Sequence, residues 1–257
     1  MKAELRLLID GLSGSDEEGA WKALEGLEVA LTPQGLVFEK DSPECIPLML
    51  ELALKESTVI QADLMRYLGE SYRSAVWTWR RVRDEDDAER RYVYDEKVAW
   101  EESVSASYED ALPRVLTLAR LAGDIRLRGA CALLLGGAVD QGKALVPVLQ
   151  ELYGQVGEEP LRIDVIEAVA NLGIGPRSDE AMRPSVAEWL RLGLADPAAG
   201  VRLGTALSLL ARVGAEEHDM LREAVVDSVH RGTSALESAM WMFGRPVGWA
   251  LERRLRR

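Results

Sequence analysis

Four stretches of this chain repeat one pattern, and that repetition constrains the fold more than any other feature. "STVIQADLMRYLGE" from Ser57, "GDIRLRGACALLLGG" from Gly123, "EEPLRIDVIEAVANLG" from Glu158 and "DPAAGVRLGTALSLLARVG" from Asp196 each open on a polar or Pro-containing turn. Each continues as an amphipathic helix that closes near a glycine. A second helix precedes each one and carries an early or internal proline: Pro47, Pro113, Pro147 and Pro184. Proline suits a first helical turn, where its missing N–H has no intrahelical partner. Arg128, Arg162 and Arg202 follow successive turns at separations of 34 and 40 residues. Such periods mark stacked helix pairs, in which no pair buries its apolar face alone. Apolar residues recur at three and four spacing almost throughout, so the chain is predicted to be all-α.

The best-formed turn, Asp196, Pro197, Val201 and Arg202 in "ADPAAGVRLGTALSLLARVG", resembles the HEAT-repeat proteins, in which an aspartate and an arginine tie adjacent repeats. The other turns are degenerate: Asp124 to Arg128 is shorter, Glu158 and Glu159 stand for the acid near Arg162, and Gln61 stands where an arginine would. "PQGLVFEKDSPECIPLMLELA", residues 33–53, is similar to the opening segment of a bacterial HEAT-like group, with Pro33 at that group's histidine position. The resemblance covers most of residues 20–215. It implies a right-handed α-solenoid of HEAT-like, armadillo-type helix pairs, expected as one domain over 1–257 with a C-terminal cap about 217–257. Trp241, Met242, Phe243 and Trp249 are the apolar residues expected to seal the last repeat.

The charge balance bears on partners. Asp and Glu outnumber Lys and Arg 43 to 31, a formal charge of −12, which opposes the basic field that non-specific nucleic-acid binding draws on. HEAT-like alkylpurine DNA glycosylases share the architecture that the resemblance implies, but they need a basic groove. The compact cluster Arg253, Arg254, Arg256 and Arg257 suits the negative end of a final helix dipole. Charges at Lys2, Glu4, Arg6 and Asp10 interrupt any leader-like apolar run, no later run approaches a membrane span, and Cys45 and Cys131 read as buried thiols. The expected location is cytoplasmic.

Catalytic and cofactor chemistry finds little support. "GAVDQGKA", residues 137–144, matches a phosphate loop until Ala144 replaces the magnesium-holding hydroxyl, and a helix precedes it where a strand is needed. His218 and His230 are twelve apart, no Cys or His pair has zinc spacing, and "RDEDDAER" lacks the spacing and glycine of a calcium loop. No nucleophile elbow is present. No catalytic residue, metal site or cofactor is expected.

Two groups of binding candidates remain. In a HEAT solenoid the second helices line the concave face, so the resemblance nominates Asp63, Arg66, Arg128, Asp164, Glu167, Asn171 and Arg212. The other group lies in an insertion about 71–110, between a helix ending near Gly69 and one beginning near Leu112. "VWTWRRVRDEDDAERRYVY" there holds five arginines and five acids, so it is no phosphate patch. Trp77, Trp79, Tyr92, Tyr94 and Trp100 carry too much apolar area to stand fully in water. "VWTWRRVR" reads as an extended arm, with Trp77 and Trp79 on one side. The acids that follow read as a helix start, with Val93, Lys97, Trp100 and Val104 at helical spacing.

The function expected from these features is non-catalytic protein recognition through an acidic face, as an inhibitor or immunity-type partner of a basic protein such as a nuclease toxin. The alternative is a small-molecule site or enzyme in the solenoid groove, closed by the insertion as a lid.

Overall fold

A computed structural model describes the backbone of residues 1–255 and the side chains of all of these except Gln34, Ala215 and 253–255. The arginine cluster at 253–257 therefore lies outside the described residues. Every regular element described is helical, in agreement with the all-α expectation. The chain forms two compact units, Met1–Leu118 and Ala119–Arg257.

The first unit contains α1 (Ala3–Leu12), α2 (Glu17–Leu31), α3 (Ser42–Ala53), α4 (Gln61–Ala75), α5 (Thr78–Glu85) and most of α6 (Asp95–Leu121). Asp16 starts α2 by accepting the Gly19 N–H at 3.0 Å, which satisfies one donor left open at the helix end. Gly11 against Ala23, and Gly26 against Leu8, let α1 and α2 approach closely. After α2 the chain makes a short 3-10 turn, Pro33–Gly35, where Gly35 takes a φ of 67°, a left-handed geometry that disfavours side chains. It then runs without helix to α3, burying Phe38 completely. Ser42 pins this path by donating to the Leu31 carbonyl at 2.9 Å and accepting the Glu39 N–H. Tyr72 of α4 stacks on Tyr108 of α6 with centroids 4.2 Å apart, and the buried Tyr108 hydroxyl donates to the Leu68 carbonyl.

The insertion departs from expectation at three points, of which the first is that the acids at 84–87 do not start a helix: Asp84 and Glu85 end α5, and α6 begins only at Asp95. "VWTWRRVR" is not an extended arm: Thr78–Glu85 is helix α5, and the turn into α6 contains a second short 3-10 helix, Arg91–Tyr94. No new helix begins near Leu112 either, because α6 runs unbroken through Pro113. A proline inside a helix removes one hydrogen bond and crowds the carbonyl four residues back. Here Pro113 and Glu109 both lie on the exposed side, where water can serve the freed carbonyl.

The second unit contains α7 (Ile125–Leu135), α8 (Gly142–Gln155), α9 (Glu159–Ile174), α10 (Arg183–Leu192), α11 (Ala199–Leu210), α12 (His218–Ser238) and α13 (Val247–Leu255). Its helices differ in how they are buried. α8 and α10 bury one stripe each, for example Leu145, Leu149 and Leu152, or Val186 and Leu190. α7, α9 and α11 are buried almost all round. The reason lies in the C-terminal segment. α12 packs on both α11 and α9, and the 3-10 turn Met240–Met242 packs on α7 and α9. The segment from His218 therefore packs against three helices, α7, α9 and α11, where sequence reasoning expected it to seal the last repeat. Met240, Trp241 and Met242 are buried in this cover.

Candidate recognition surface

The residues of the second unit that were expected on a concave face are engaged by other parts of that unit. Asp164 is 1 % exposed and accepts the backbone N–H groups of Met240 (3.0 Å) and Trp241 (2.8 Å), so it anchors the covering turn to α9. Glu167 is fully buried, pairs with Arg212 at 2.7 Å and accepts the Ser208 hydroxyl at 2.6 Å. Arg212 also donates to the Ser208 carbonyl. Asn171 donates to the Gly136 carbonyl at 2.8 Å, closing the C-terminal end of α7. Arg128 donates to the Ala119 carbonyl at 2.9 Å. In the first unit, Asp63 is buried and Arg66 pairs with Glu70 one turn on, at 3.1 Å.

The residues expected to tie repeats, Asp196, Arg162 and Arg202, meet as a network. Asp196 accepts from the Arg162 guanidinium, the Tyr153 hydroxyl (2.9 Å) and the Ala198 N–H (2.9 Å), while Arg202 donates to the Asp196 and Pro197 carbonyls. Glu159 accepts the Gly200 N–H across the same junction. Burial alone would raise the Asp196 carboxyl, but the Ala198 N–H, Arg162 and Tyr153 together hold it below its ordinary range. A crevice of about 180 Å³ opens beside this network, walled by Tyr153 and Trp189 edge to face, with Leu190, Leu192 and Ile166. None of the insertion aromatics lines it.

The phosphate-loop look-alike is an inter-helix turn: Gly136 caps α7 against Ala168, and Lys143 is paired with Asp179 at 2.7 Å. Among the described residues no three His, Cys, Asp or Glu side chains group to hold a metal. Both cysteines are buried, and burial pushes the Cys45 thiol up to about 11. Among the described residues no single helix is long and apolar enough to cross a membrane. One pair of helices bent by 87° passes on length and composition alone, and its first member, α7, is buried in the second unit.

The insertion behaves differently. α5 and the turn after it contain no buried residue. Trp77, Trp79, Tyr94 and Trp100 are half-buried, and Tyr92, at 74 % exposure, stands out with Val93 at the tip beside exposed Arg90 and Arg91. Trp79 is the hub. Its indole N–H donates to the Phe38 carbonyl at 3.1 Å, its ring lies 6.3 Å from Tyr94, and the Lys97 ammonium sits 4.0 Å from its centre. The Arg80 guanidinium lies over Trp77 at 4.4 Å.

Sequence reasoning missed the residue that holds this hairpin, Glu101. It has no exposure and accepts the backbone N–H groups of Trp79 (2.6 Å) and Arg80 (3.1 Å) at the start of α5. Burial pushes its carboxyl up to about 7, against the pull of those N–H groups and of Arg80. The signal was present. Val98, Glu101, Val104 and Tyr108 form the buried stripe of α6, so Glu101 is a charge written into an apolar register. The expected register through Val93, Lys97, Trp100 and Val104 joined this stripe only at Val104 and left it at Trp100, which is half-buried.

Charge also divides between the units. Residues 1–118 carry 25 Asp and Glu against 14 Lys and Arg, a net of −11, whereas residues 119–257 carry 18 against 17, a net of −1. Compared with family models, curated proteins and solved structures, the chain matches none.

Proposed function

We propose that this chain is a non-catalytic recognition protein whose first unit engages a basic protein partner, in the manner of an inhibitor or immunity protein. The observation that carries this reading is the concentration of net charge, −11 of −12, in the unit that also presents the aromatic hairpin. An acidic field speeds encounter with a basic partner, and exposed tyrosine beside arginine is the composition of interface anchors. In this reading α8–α9 and α10–α11 are HEAT-like repeats of a right-handed solenoid. The Arg162–Asp196–Arg202 network supports that assignment by joining consecutive pairs. The covered inner face of the second unit leaves the first unit as the recognition element.

The test uses the full chain against a panel of basic proteins, nuclease domains included, with association rates measured at about 50 and 500 mM salt. A complex whose association slows steeply with salt, and which weakens in Trp77→Ala and Tyr92→Ala variants that remain folded, is the expected result. A panel with no salt-sensitive complex overturns the reading.

A further inference from the structure

α5 is a helix with no buried residue, and Trp77 at its N-cap makes no side-chain capping bond. Its attachment is through half-buried groups: Trp77 and Trp79, the indole bond to Phe38, the Lys97 and Tyr94 side chains at the Trp79 ring, the exposed contacts of Arg80 with Glu102 and of Arg91 with the Asp84 carbonyl, and the Glu101 carboxylate beneath its first turn. Glu101 reaches this place from α6, where every neighbour on its stripe is apolar or neutral: Val98, Val104, Ser105 and Tyr108. It has no ion-pair partner among the described residues. The groups that face it from α5 are backbone N–H donors and Arg80, whose guanidinium is turned toward the Trp77 ring and lies 3.9 Å from Glu102. Along α6, Lys97 one turn earlier is held over the Trp79 and Tyr94 rings, and Ser105 one turn later donates to Glu109. From the segment before α3 comes the Phe38 carbonyl, an acceptor already used by Trp79.

We propose that Glu101 is a proton-controlled clasp on the aromatic hairpin: while its carboxyl is neutral, α5 stays closed on α6, and ionisation makes the hairpin open more readily into solvent. A buried carboxylate that has no bonded ion pair, and feels the Arg80 charge only from its place over Trp77, loses more hydration than that charge and two or three N–H groups return. Opening lets water reach it. The direction follows from linkage. The closed state holds the Glu101 proton up to about 7, while an opened, hydrated glutamate releases it near 4.5. Opening therefore releases a proton and is favoured as pH rises across that window, about tenfold per pH unit and on the order of a hundredfold overall. Outside the window it is flat. A carboxylate used only as a helix cap and paired with cations would behave oppositely, holding the hairpin more tightly once ionised.

The functional meaning of the clasp, exposure of the Trp77 and Trp79 faces on demand, rests on the recognition reading. The clasp itself does not, and its test needs no partner. Amide hydrogen exchange of residues 77–85 is followed in the full chain from pH 5 to 8.5 and corrected for the intrinsic pH dependence of exchange. The opening constant is expected to climb about tenfold per unit up to about pH 7 and then level. Glu101→Gln, which keeps an acceptor oxygen and cannot ionise, is expected to be flat, and the α7 amides are expected to stay flat in both proteins. A flat wild type, a slope that persists in Glu101→Gln, or an equal slope in α7 overturns the proposal. Should Glu101→Gln fail to fold, the carboxyl carbon resonance of Glu101 in the wild type decides: a midpoint near 7 supports the clasp, and one in the ordinary carboxylate range overturns it. Loss of the pH response leaves salt-dependent partner binding untouched, and absence of a partner leaves the pH response untouched, so the two readings fail separately.

Discussion

Glu167 in α9 and Glu101 in α6 are both sealed from solvent, yet their surroundings answer the buried charge in opposite ways. Glu167 receives a guanidinium at two oxygens and a serine hydroxyl, and Asp164 one turn earlier receives two backbone N–H groups from the covering turn. Glu101 receives the backbone N–H groups of Trp79 and Arg80 from a helix whose most covered side chains are only half-buried. The same residue type thus serves as a rivet where a guanidinium and a buried hydroxyl meet it, and as a support without a bonded cation where only half-buried N–H groups do. In the second unit such rivets sit inside a large apolar core, whereas α5 of the first unit has no fully buried residue, the kind of element that opens first.

The sharpest way to break this contrast is to strand the rivet. Arg212→Leu leaves Glu167 buried without its cation, and the expected cost is about 3–5 kcal/mol. Urea unfolding gives the total, and faster amide exchange in α9 and α11 gives the location. Replacing both residues, Glu167→Leu with Arg212→Met, should recover most of the loss, because removing a whole buried pair is far cheaper than removing half of one. If the single variant loses under about 1 kcal/mol, the pair is no rivet.

Asp164→Ala is the next largest effect, about 2–3 kcal/mol, from two charge-assisted bonds lost inside a dry contact. Because those bonds hold Met240 and Trp241, protease sensitivity should appear first in residues 239–246, with α8 and α10 unchanged. Cutting elsewhere first would mean that the covering turn is held by its apolar residues alone.

These features were unequally legible in the sequence. Helix pairing was readable because it is local: a three-four apolar period, a turn and a glycine lie within about twenty residues. The Asp196 turn was readable for the same reason, since Arg202 and Ala198 meet it within six residues. Asp164, Glu167 and Asn171 could be found but not understood, because the groups that consume them lie 76, 45 and 35 residues away in sequence. The cover formed by α12 and the Met240–Met242 turn is a tertiary fact without a local signature. Pro113 misled because proline marks helix starts statistically, while an exposed interior site tolerates it. Glu101 was hidden because the expected register stepped back four residues from Val104 to Trp100, where a step of three, to Glu101 and then Val98, follows the buried stripe.

A smaller effect tests the Asp196 network. Asp196 has a depressed carboxyl, so its contribution is present above its unfolded value of about 3.8 and is lost as pH falls through the lower folded value. Asp196→Asn should cost about 1 kcal/mol near neutrality, since one amide oxygen still faces Arg162 and Tyr153. Its stability should also fall less steeply than the wild type's below about pH 4. An unchanged acid limb would place the pH sensitivity in other carboxylates.

The smallest effect on folding is expected at the hairpin tip. Tyr92 is 74 % exposed and Val93 53 %, so Tyr92→Ala removes almost no buried area and should shift unfolding by less than about 0.5 kcal/mol. Trp79→Ala is the matched control: it deletes the bond to Phe38 and the ring that Lys97 and Tyr94 share, so it should speed exchange in α5 while leaving the second unit unchanged. If the tip is an anchor, Tyr92→Ala weakens partner binding by at least tenfold with α5 exchange as in the wild type. If the hairpin binds through its inner aromatic face, Trp79→Ala carries the loss and Tyr92→Ala does not. Stability, exchange and affinity measured on the same two variants therefore separate a surface that is merely exposed from one that is held ready.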